Sequence, residues 1–257
     1  MFLEIHHLSK SFGGLQALEG VSFEVPMGAI QALIGPNGAG KTTCFNLISG
    51  VLPPSSGSIR LLGQEISGLP PHQIARLGLA RTFQNIQLFG GMTVLENVLV
   101  GQHIHLRGGL LATLMNLPAI RRQESRSVSF VRDLLHFVGL ADKEAWSADS
   151  LAYGEQRRLE IARALALQPR LLLLDEPAAG MNPRETEDLM ALIAAIRERD
   201  ITVLLIEHDM NLVMNISKRI VVFDQGRIIA QGPPRAIRQN PQVIEAYLGK
   251  EEDEDDV

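Results

Sequence analysis

The stretch that decides the fold is Gly35-Pro36-Asn37-Gly38-Ala39-Gly40-Lys41-Thr42, which reads GPNGAGKT and is followed by Thr43. It fits the pattern G-x-x-x-x-G-K-[ST] at every position. The apolar segment Ala29–Ile34 leads into it, and a helical pattern over Lys41–Ile48 leads out. Glycines let successive backbone N–H groups turn toward one centre at a helix N-terminus, where an anion is favoured. A chance glycine turn is the alternative, but the flanking strand and helix favour a phosphate-binding loop.

Two side chains of this loop have a predicted chemistry. Lys41 supplies a positive charge for the β- and γ-phosphates of a nucleotide. The hydroxyl of Thr42 is placed to ligate Mg²⁺. The loop therefore predicts binding of a nucleoside triphosphate, although alone it does not name the process that the triphosphate drives.

A second segment, Leu171–Pro177, reads LLLLDEP and predicts a buried strand that ends in two acids. A run of four leucines is typical of the middle of a parallel sheet, and ligands bind beyond the carboxyl ends of such strands. Asp175 is therefore expected beside the phosphate loop, where it holds Mg²⁺ directly or through water. Glu176 points differently and is suited to orient or deprotonate an attacking water. Two acids in an exposed turn are the alternative interpretation.

Away from these motifs, the hydrophobic pattern changes along the chain. After Tyr153 helices alternate with strands, which indicates a parallel α/β core. Strand signals vanish between about residues 90 and 155, so an all-helical subdomain is predicted to be inserted in that core. Strands are predicted at Phe2–Leu8, Val21–Val25, Ala29–Ile34, Ile59–Leu62, Arg170–Leu174, Ile201–Ile206 and Ile220–Phe223.

The composition of the 257 residues excludes several classes of protein. The net charge of −5 argues against broad neutralisation of nucleic-acid phosphates, so no nucleic acid is expected as a partner. Much of that charge lies in residues 251–257, which are expected to be an acidic, disordered tail. Cys44 is the only cysteine, which fits a reducing compartment. Neither a signal peptide nor a membrane span is expected from the pattern of apolar residues.

The segment LAYGE, Leu151-Ala152-Tyr153-Gly154-Glu155, precedes QRRLEIARAL. Leu159, Ala162, Leu165 and Ala166 fall on one face of the predicted helix, and Arg157, Arg158 and Arg163 are expected elsewhere. The free N–H groups at the start of this helix favour an anion, so a second phosphate site is predicted here.

Five motifs together carry a resemblance to a known family. GPNGAGKTT, RTFQ at Arg81–Gln84, LAYGE, LLLLDEP and EHD at Glu207–Asp209 occur in the order seen in ATP-binding subunits of ABC transporters. The likeness covers residues 2 to about 249 and implies a single ABC-type ATP-binding domain over residues 1–250. The implied fold is a P-loop NTPase core of α/β class, with an N-terminal antiparallel β subdomain and the inserted helical subdomain. DEPAAGMNP, IEHDMNLVM and NPQVIEAYLG resemble the Liv-type subfamily, and specifically its G-type subunit.

The resemblance implies roles for further residues. Gln84 would contact Mg²⁺ and the attacking water, and an exposed loop amide is the alternative. His208 would contact the γ-phosphate and hold the water with Glu176. Phe12 would stack on adenine, and a small core phenylalanine is its alternative.

For LAYGE, the family implies a head-to-tail dimer in which Leu151–Glu155 covers the γ-phosphate held by the partner's loop. Two positions depart from the common family pattern. Ala152 stands where serine is usual, so a hydroxyl contact is missing and the backbone N–H donors remain. Asn182 stands where many members have aspartate. Both resemble Liv-type features.

The implied function is hydrolysis of ATP, with Mg²⁺, to drive a bacterial importer of branched-chain amino acids. The implied partners are a second ATPase subunit, which is a related but different chain, two membrane permeases and, indirectly, a periplasmic solute-binding protein. The implied location is the cytoplasmic face of the inner membrane, as a peripheral subunit. For residues 104–122, a helical insert without a binding role is favoured over a surface that contacts the permeases.

Several alternatives remain at this point. Within the family, the alternatives are an importer of urea, short amides or another small solute, and an exporter of lipopolysaccharide. A soluble ABC-type ATPase of translation or DNA repair usually has two ATPase halves or long coiled-coil inserts, and this chain has neither. A nucleotide sensor without hydrolysis is disfavoured by the presence of both Glu176 and His208.

Overall fold

The computed structural model describes residues 2–105 and 118–248. The acidic tail at residues 251–257 and most of the segment at 104–122 lie outside the described residues. The chain divides into two compact units. The first comprises Met1–Arg81 with Arg170–Val257, and the second comprises Thr82–Pro169.

The first unit contains an antiparallel sheet close to the N-terminus. Its strand order is β2-β1-β4-β5, with antiparallel pairing throughout. The predicted strand at Phe2–Leu8 is longer in the structure and continues to Phe12, because β2 pairs with it along that whole length. The strands are β1 (Leu3–Phe12), β2 (Leu15–Val25), β4 (Ser56–Leu61) and β5 (Gln64–Glu65).

The second sheet of this unit has the order β10-β9-β3-β8-β7-β6 and positions the candidate site. Its strands are parallel except β10, which pairs antiparallel with β9. Strands β3, β7 and β8 are buried at every residue, as their near-continuous apolar sequences require. The strands are β3 (Ile30–Ile34), β6 (Leu79–Arg81), β7 (Leu171–Asp175), β8 (Thr202–Ile206), β9 (Arg219–Asp224) and β10 (Arg227–Gly232).

Helices of the first unit connect these strands and join both sheets into one core. The helix that follows the phosphate loop, α1 (Lys41–Ile48), contributes Phe45 and Leu47 to a cluster that also includes residues of both sheets. Within that cluster the rings of Phe23 and Phe223 meet edge to face, with centroids 6.3 Å apart. The other helices are α2 (Pro71–Arg76), α6 (Pro183–Glu198), α7 (Met210–Ile216), α8 (Pro234–Arg238) and α9 (Pro241–Leu248).

The second unit is built from α3 (Val94–Gly101), α4 (Pro118–Phe137) and α5 (Tyr153–Leu165). Helices α3 and α5 approach closely at Gly101, where an added Cβ would lie 2.3 Å from the carbonyl oxygen of Arg163. This unit, residues 82–169, is longer than the predicted insertion at about 90–155. It is longer because the segment after β6 and the whole of α5 belong to it.

No helix within residues 2–105 and 118–248 combines the length and apolarity that crossing a membrane requires.

Candidate functional site

The phosphate loop lies between β3 and α1, and its two outer glycines are fixed by close packing. A Cβ on Gly35 would lie 2.1 Å from the carbonyl oxygen of Phe223, and Gly35 has a φ of 146°. Gly40 is the N-cap of α1 with a φ of 100°, and a Cβ there would lie 2.8 Å from the carbonyl oxygen of Ala17. Glycine is therefore required at Gly35 and Gly40, because a side chain would not fit and because the backbone has a positive φ.

The remaining residues of the loop divide into exposed and buried positions. Lys41 and Ala39 are buried, Pro36 and Thr43 are half-buried, and the exposed members are Asn37, Gly38 and Thr42. Lys41 Nζ donates to the carbonyl oxygens of Gly35 at 2.6 Å and Pro36 at 2.8 Å. The ammonium therefore lies inside the loop that precedes α1.

Asp175 ends β7 as a buried carboxylate, which excludes the alternative of an exposed turn. Its Oδ2 accepts a hydrogen bond from Arg81 Nη2 at 2.8 Å. The same guanidinium donates to Asn46 Oδ1 and Ser49 Oγ, each at 2.8 Å, and both residues follow the phosphate loop. This role of Arg81 was not predicted, because a charged residue at the end of a three-residue strand has no distinctive sequence pattern. Arg81 links the acid at the end of β7 to α1.

Glu176 and His208 meet at the carboxyl edge of the sheet. Glu176 Oε1 and His208 Nε2 are 2.8 Å apart. Glu176 has a φ of 48°, a left-handed conformation that is costly for a residue with a side chain and is characteristic of functional sites. His208 is exposed. Its Nε2 is the donor in this contact in the tautomer that carries the proton on Nε2.

Glu207 holds the backbone on both sides of this pair. Its Oε1 accepts from the N–H of Ala178 at 2.7 Å, and its Oε2 accepts from His208 N–H at 2.9 Å and Asp209 N–H at 3.3 Å. Burial raises the pKa of Glu207, and the three N–H donors oppose that shift less strongly. Sequence reasoning missed this role, because the distant Ala178 is brought to Glu207 only by the fold.

The second unit holds the other predicted site residues. Gln84 is exposed, and so are Ala152 and Tyr153 at the start of α5, whereas Leu151 and Gly154 are buried. Ala152 is the N-cap but has no side-chain oxygen, so only half of a capping box forms: its N–H donates to Glu155 Oε2 at 3.3 Å.

Glu155 places a negative charge at the helix end that was predicted to attract an anion. Lys143 Nζ lies 2.5 Å from its Oε1, and Arg158 Nη2 lies 3.8 Å from the same atom. The hydrogen bond from Lys143 lowers the pKa of Glu155 below its ordinary value, with burial opposing that shift. The carboxylate is therefore compensated by two cations.

The burial of Arg157 was not predicted from the sequence. The periodicity of α5 placed it away from the apolar face, yet its side chain is fully buried, like Leu159 and Ala162. Its guanidinium is accommodated by Glu160, with Nη1 2.7 Å from Oε2. The opposite charge three residues further along the helix was the signal that could have indicated a buried pair.

Phe12 and Asn182 complete the set in the first unit. Phe12 is 44% exposed at the end of β1, with Lys10 Nζ 5.1 Å from the ring centroid, so the alternative of a core phenylalanine does not apply. Asn182 caps α6 by accepting the N–H of Glu185 at 3.0 Å, while Glu185 accepts the N–H of Asn182 at 3.0 Å. An amide therefore serves as the helix cap at the position where aspartate is common.

The chemistry of the donor set fits a magnesium ion held together with a nucleotide. Proteins bind Mg²⁺ through one or two carboxylates together with phosphate oxygens, rather than through cages of side chains. In the part of the chain that the structure describes, no cluster of three or more His, Cys, Asp or Glu side chains is arranged to hold a metal. Asp175 and the exposed hydroxyl of Thr42 are oxygen donors of the required kind.

The phosphate loop, the parallel sheet and the Glu176–His208 pair together define a class of protein. Comparison with known families identifies that class. A family model described as "ABC transporter" matches residues 18–179, more than half of the chain. A second model, "Branched-chain amino acid ATP-binding cassette transporter", matches residues 227–253. The chain therefore belongs to the ABC transporter family, as an ATP-binding cassette, and the predicted family and ATPase class are confirmed.

Named relatives show which members of this family the chain resembles. The branched-chain amino acid transport ATP-binding protein BraF of Pseudomonas aeruginosa is 55% identical over 249 residues, which are 96% of this chain and 98% of BraF. LivG of Escherichia coli, which carries the same description, is 51% identical with the same coverage. A solved ATP-binding cassette of an ABC transporter in its ADP conformation superposes with a TM-score of 0.85 at 33% identity, covering 96% of this chain and 98% of that one. The predicted fold class is confirmed by this likeness.

Proposed function

We propose that this chain is the ATP-hydrolysing subunit of a bacterial importer of branched-chain amino acids. The observation that carries the hydrolytic part of the proposal is the 2.8 Å contact between Glu176 and His208, beyond the carboxyl ends of the strands. The phosphate loop follows β3, and β3 is the direct neighbour of β8 in the same parallel sheet. The hydrolytic pair and the loop thus lie at one edge, where ligands of α/β sheets bind.

The proposed hydrolysis uses these groups in a defined order. N–H groups of the loop and the ammonium of Lys41 bind the β- and γ-phosphates. Glu176 orients a water molecule for attack on the γ-phosphorus and accepts its proton as the bond to the β-phosphate oxygen breaks. His208 holds Glu176 in position and donates to a γ-phosphate oxygen. ADP leaves with the electron pair of the broken bond.

Magnesium would be held by Thr42, Asp175 and Gln84. When bound, the ion neutralises charge on the β- and γ-phosphates. Arg81 orients Asp175 through its bond to Oδ2 and ties that carboxylate to α1. The exposed ring of Phe12 would stack on adenine, and because stacking uses the face of a base it distinguishes bases weakly.

The LAYGE segment, Leu151–Glu155, is proposed to complete the site of a second ATPase subunit. Ala152 and Tyr153 are exposed at the start of α5, where helix N–H groups point outward. Lys143 and Arg158 compensate Glu155, which removes the repulsion that an uncompensated carboxylate would exert on a γ-phosphate. The second subunit is a related, different chain arranged head to tail.

The proposed assembly adds two permeases and a periplasmic solute-binding protein, with this chain peripheral on the cytoplasmic face of the inner membrane. The support comes from the names of BraF and LivG, which are branched-chain amino acid transport proteins with coverage of nearly the full chain. The match of a branched-chain-specific family model to residues 227–253 points the same way.

The chemistry is tested by measuring phosphate release from Glu176→Gln. We expect turnover to fall by roughly 100-fold or more while ATP still binds, because the amide cannot accept the proton of water. Glu198→Gln is the matched control, since Glu198 is an exposed carboxylate on α6. Turnover near the wild-type level in Glu176→Gln would refute the assigned role.

The transported solute is tested in a strain that lacks its own branched-chain uptake. The chain is expressed with candidate permeases and a candidate binding protein, and uptake of labelled leucine is compared with uptake of labelled urea. We expect leucine uptake that depends on Glu176. Uptake of urea without leucine would replace the proposed solute with one of the alternatives.

A further inference from the structure

Arg157 is the largest fully buried side chain in the described residues, and its bonds lead to the backbone next to Gln84. Nη1 donates to the carbonyl oxygen of Phe83 at 2.8 Å, and Nη2 donates to the carbonyl oxygen of Gln84 at 2.8 Å. Nη1 also contacts Glu160 Oε2 at 2.7 Å. Glu160 Oε1 in turn accepts the N–H of Phe83 at 3.3 Å. The two side chains form the Arg157–Glu160 clamp.

The clamp acts on a segment without regular structure. Phe83 and Gln84 follow β6 and are not part of any helix or strand. The clamp satisfies the N–H and C=O of Phe83 and the C=O of Gln84. Without the clamp these polar groups would lose the hydrogen bonds that Arg157 and Glu160 supply. The path of the backbone at Gln84 is thus set from α5.

A buried ion pair is a poor means of gaining stability. The free energy that desolvation of two charges costs is about as large as the free energy that their attraction returns. A protein with apolar residues of similar volume at these positions is often equally stable. Arg157 and Glu160 are 0% and 1% exposed, and burial raises the pKa of Glu160 despite the adjacent guanidinium. What the pair provides, and apolar side chains cannot, is directional bonding to the backbone of Phe83 and Gln84.

We propose that Arg157 and Glu160 are positioning residues for Gln84, which they fix to the helix that begins at LAYGE. The side chain of Gln84 is exposed and so reaches its ligand from a backbone that α5 holds in place. Any displacement of α5 is transmitted to Gln84 through the guanidinium. The inference rests on the role proposed above for Gln84 at the magnesium ion and the attacking water.

The experiment is a double-mutant cycle on the full-length chain with Arg157→Lys and Gln84→Ala. Lysine keeps the charge but cannot make the two-pronged bond to Phe83 and Gln84. We expect Arg157→Lys to bind ATP with a Kd within about twofold of wild type while kcat falls roughly 10- to 100-fold. The double variant should fall no further than Gln84→Ala alone, because both changes remove one function.

The controls separate positioning from folding. Arg132→Met breaks a comparable but exposed pair with Glu144, and we expect wild-type kcat. Urea unfolding of each variant measures the loss of stability. If Arg157→Lys does not fold, Glu160→Gln enters the same cycle, since its amide oxygen still accepts the N–H of Phe83.

Two results in the clamp variants would overturn the inference: wild-type kcat in a folded variant, or losses that multiply in the double variant. A wild-type kcat in Gln84→Ala would remove the role of Gln84 and the inference with it. That outcome is distinct from failure of the proposed function, because ATP hydrolysis would still depend on Glu176.

Discussion

At Gly35, the first glycine of the phosphate loop, the absence of a side chain allows the loop to pack against a neighbouring strand. The Cβ position of Gly35 points at the carbonyl oxygen of Phe223 in β9, so the loop lies directly against a neighbouring strand. That contact fixes the loop from one side, while Lys41 bonds its carbonyl oxygens from the other. The loop is therefore held in position by the sheet and by its own lysine.

Replacing that glycine should therefore be costly. In Gly35→Ala the new methyl group would meet a backbone oxygen at 2.1 Å, and the backbone must shift to relieve the overlap. We expect the free energy of unfolding to fall by about 1–3 kcal/mol, together with weaker ATP binding. Urea denaturation measures the first effect. Gly14→Ala is the control, because no atom lies within 4 Å of its Cβ position; equal losses in both variants would contradict the explanation.

The buried carboxyl of Glu207 should make stability depend on pH. Its pKa is raised in the folded state by burial, so folding favours the protonated form. Its contribution to stability is therefore fully present below the unfolded pKa of about 4.3 and is lost as pH rises through the folded pKa. We expect the difference in free energy of unfolding between wild type and Glu207→Gln to shift against wild type as pH rises from 5 to 8. A constant difference in urea denaturation would count against the raised pKa.

At the scale of elements, α6 begins in the same loop that follows β7, the strand that ends at Asp175. Asn182 and Glu185 exchange hydrogen bonds at its first turn, and Pro183 occupies the position where a missing N–H is harmless. The start of the helix thus sets where the preceding residues, from Glu176 onward, leave the sheet.

We expect Asn182→Ala to lower the free energy of unfolding by about 1 kcal/mol, because the N–H of Glu185 loses its acceptor. Asn182→Asp should stay close to wild type, since aspartate caps equally well. Thermal or urea unfolding of both variants measures the effect. A large loss in the aspartate variant would mean that the amide group has a role other than capping.

Elements with a local signature could be predicted from the sequence, and those defined by pairing could not. The strand predicted at Arg170–Leu174, which the structure has at Leu171–Asp175, is marked directly by a run of leucines. The helix predicted at Lys41–Ile48 is marked by the glycine-lysine loop. The short strand β6 was missed, because its three residues, Leu79–Arg81, become a strand only by pairing with β7.

The same distinction holds in the site. Asp175, Glu176 and His208 were placed at one edge of the sheet because each follows a recognisable strand. The burial of Arg157 was not predicted, because helical periodicity treats a charged residue as solvated and does not register a partner such as Glu160. The bond from the N–H of Ala178 to Glu207 was also beyond reach, since the two residues are 29 positions apart in the sequence.

At the scale of the molecule, the first unit gathers two separated stretches of chain around one core, with Cys44 fully buried in it. Residues from both stretches, such as Ile5 and Val221, belong to the same cluster. Unfolding of this unit must therefore release the N-terminal and C-terminal stretches together. Cys44, as the only cysteine in the chain, can report that event.

Burial raises the pKa of Cys44 to about 12, so both access and thiolate formation are suppressed in the folded protein. We expect a disulfide reagent to label native protein far more slowly than protein in urea, at a rate that follows the unfolded fraction. The absorbance of the thiol that the reagent releases, recorded at neutral pH, measures the labelling. Labelling of native protein as fast as of denatured protein would show that this part of the core opens locally.

The left-handed backbone at Glu176 has a consequence for anyone who wishes to engineer a more stable variant. A non-glycine residue in such a conformation costs on the order of 1–3 kcal/mol, and glycine would remove that cost. Screening for stability alone would therefore select against the carboxylate that we propose for hydrolysis. Stabilised versions of this cassette should be sought at permissive surface positions, with position 176 held constant.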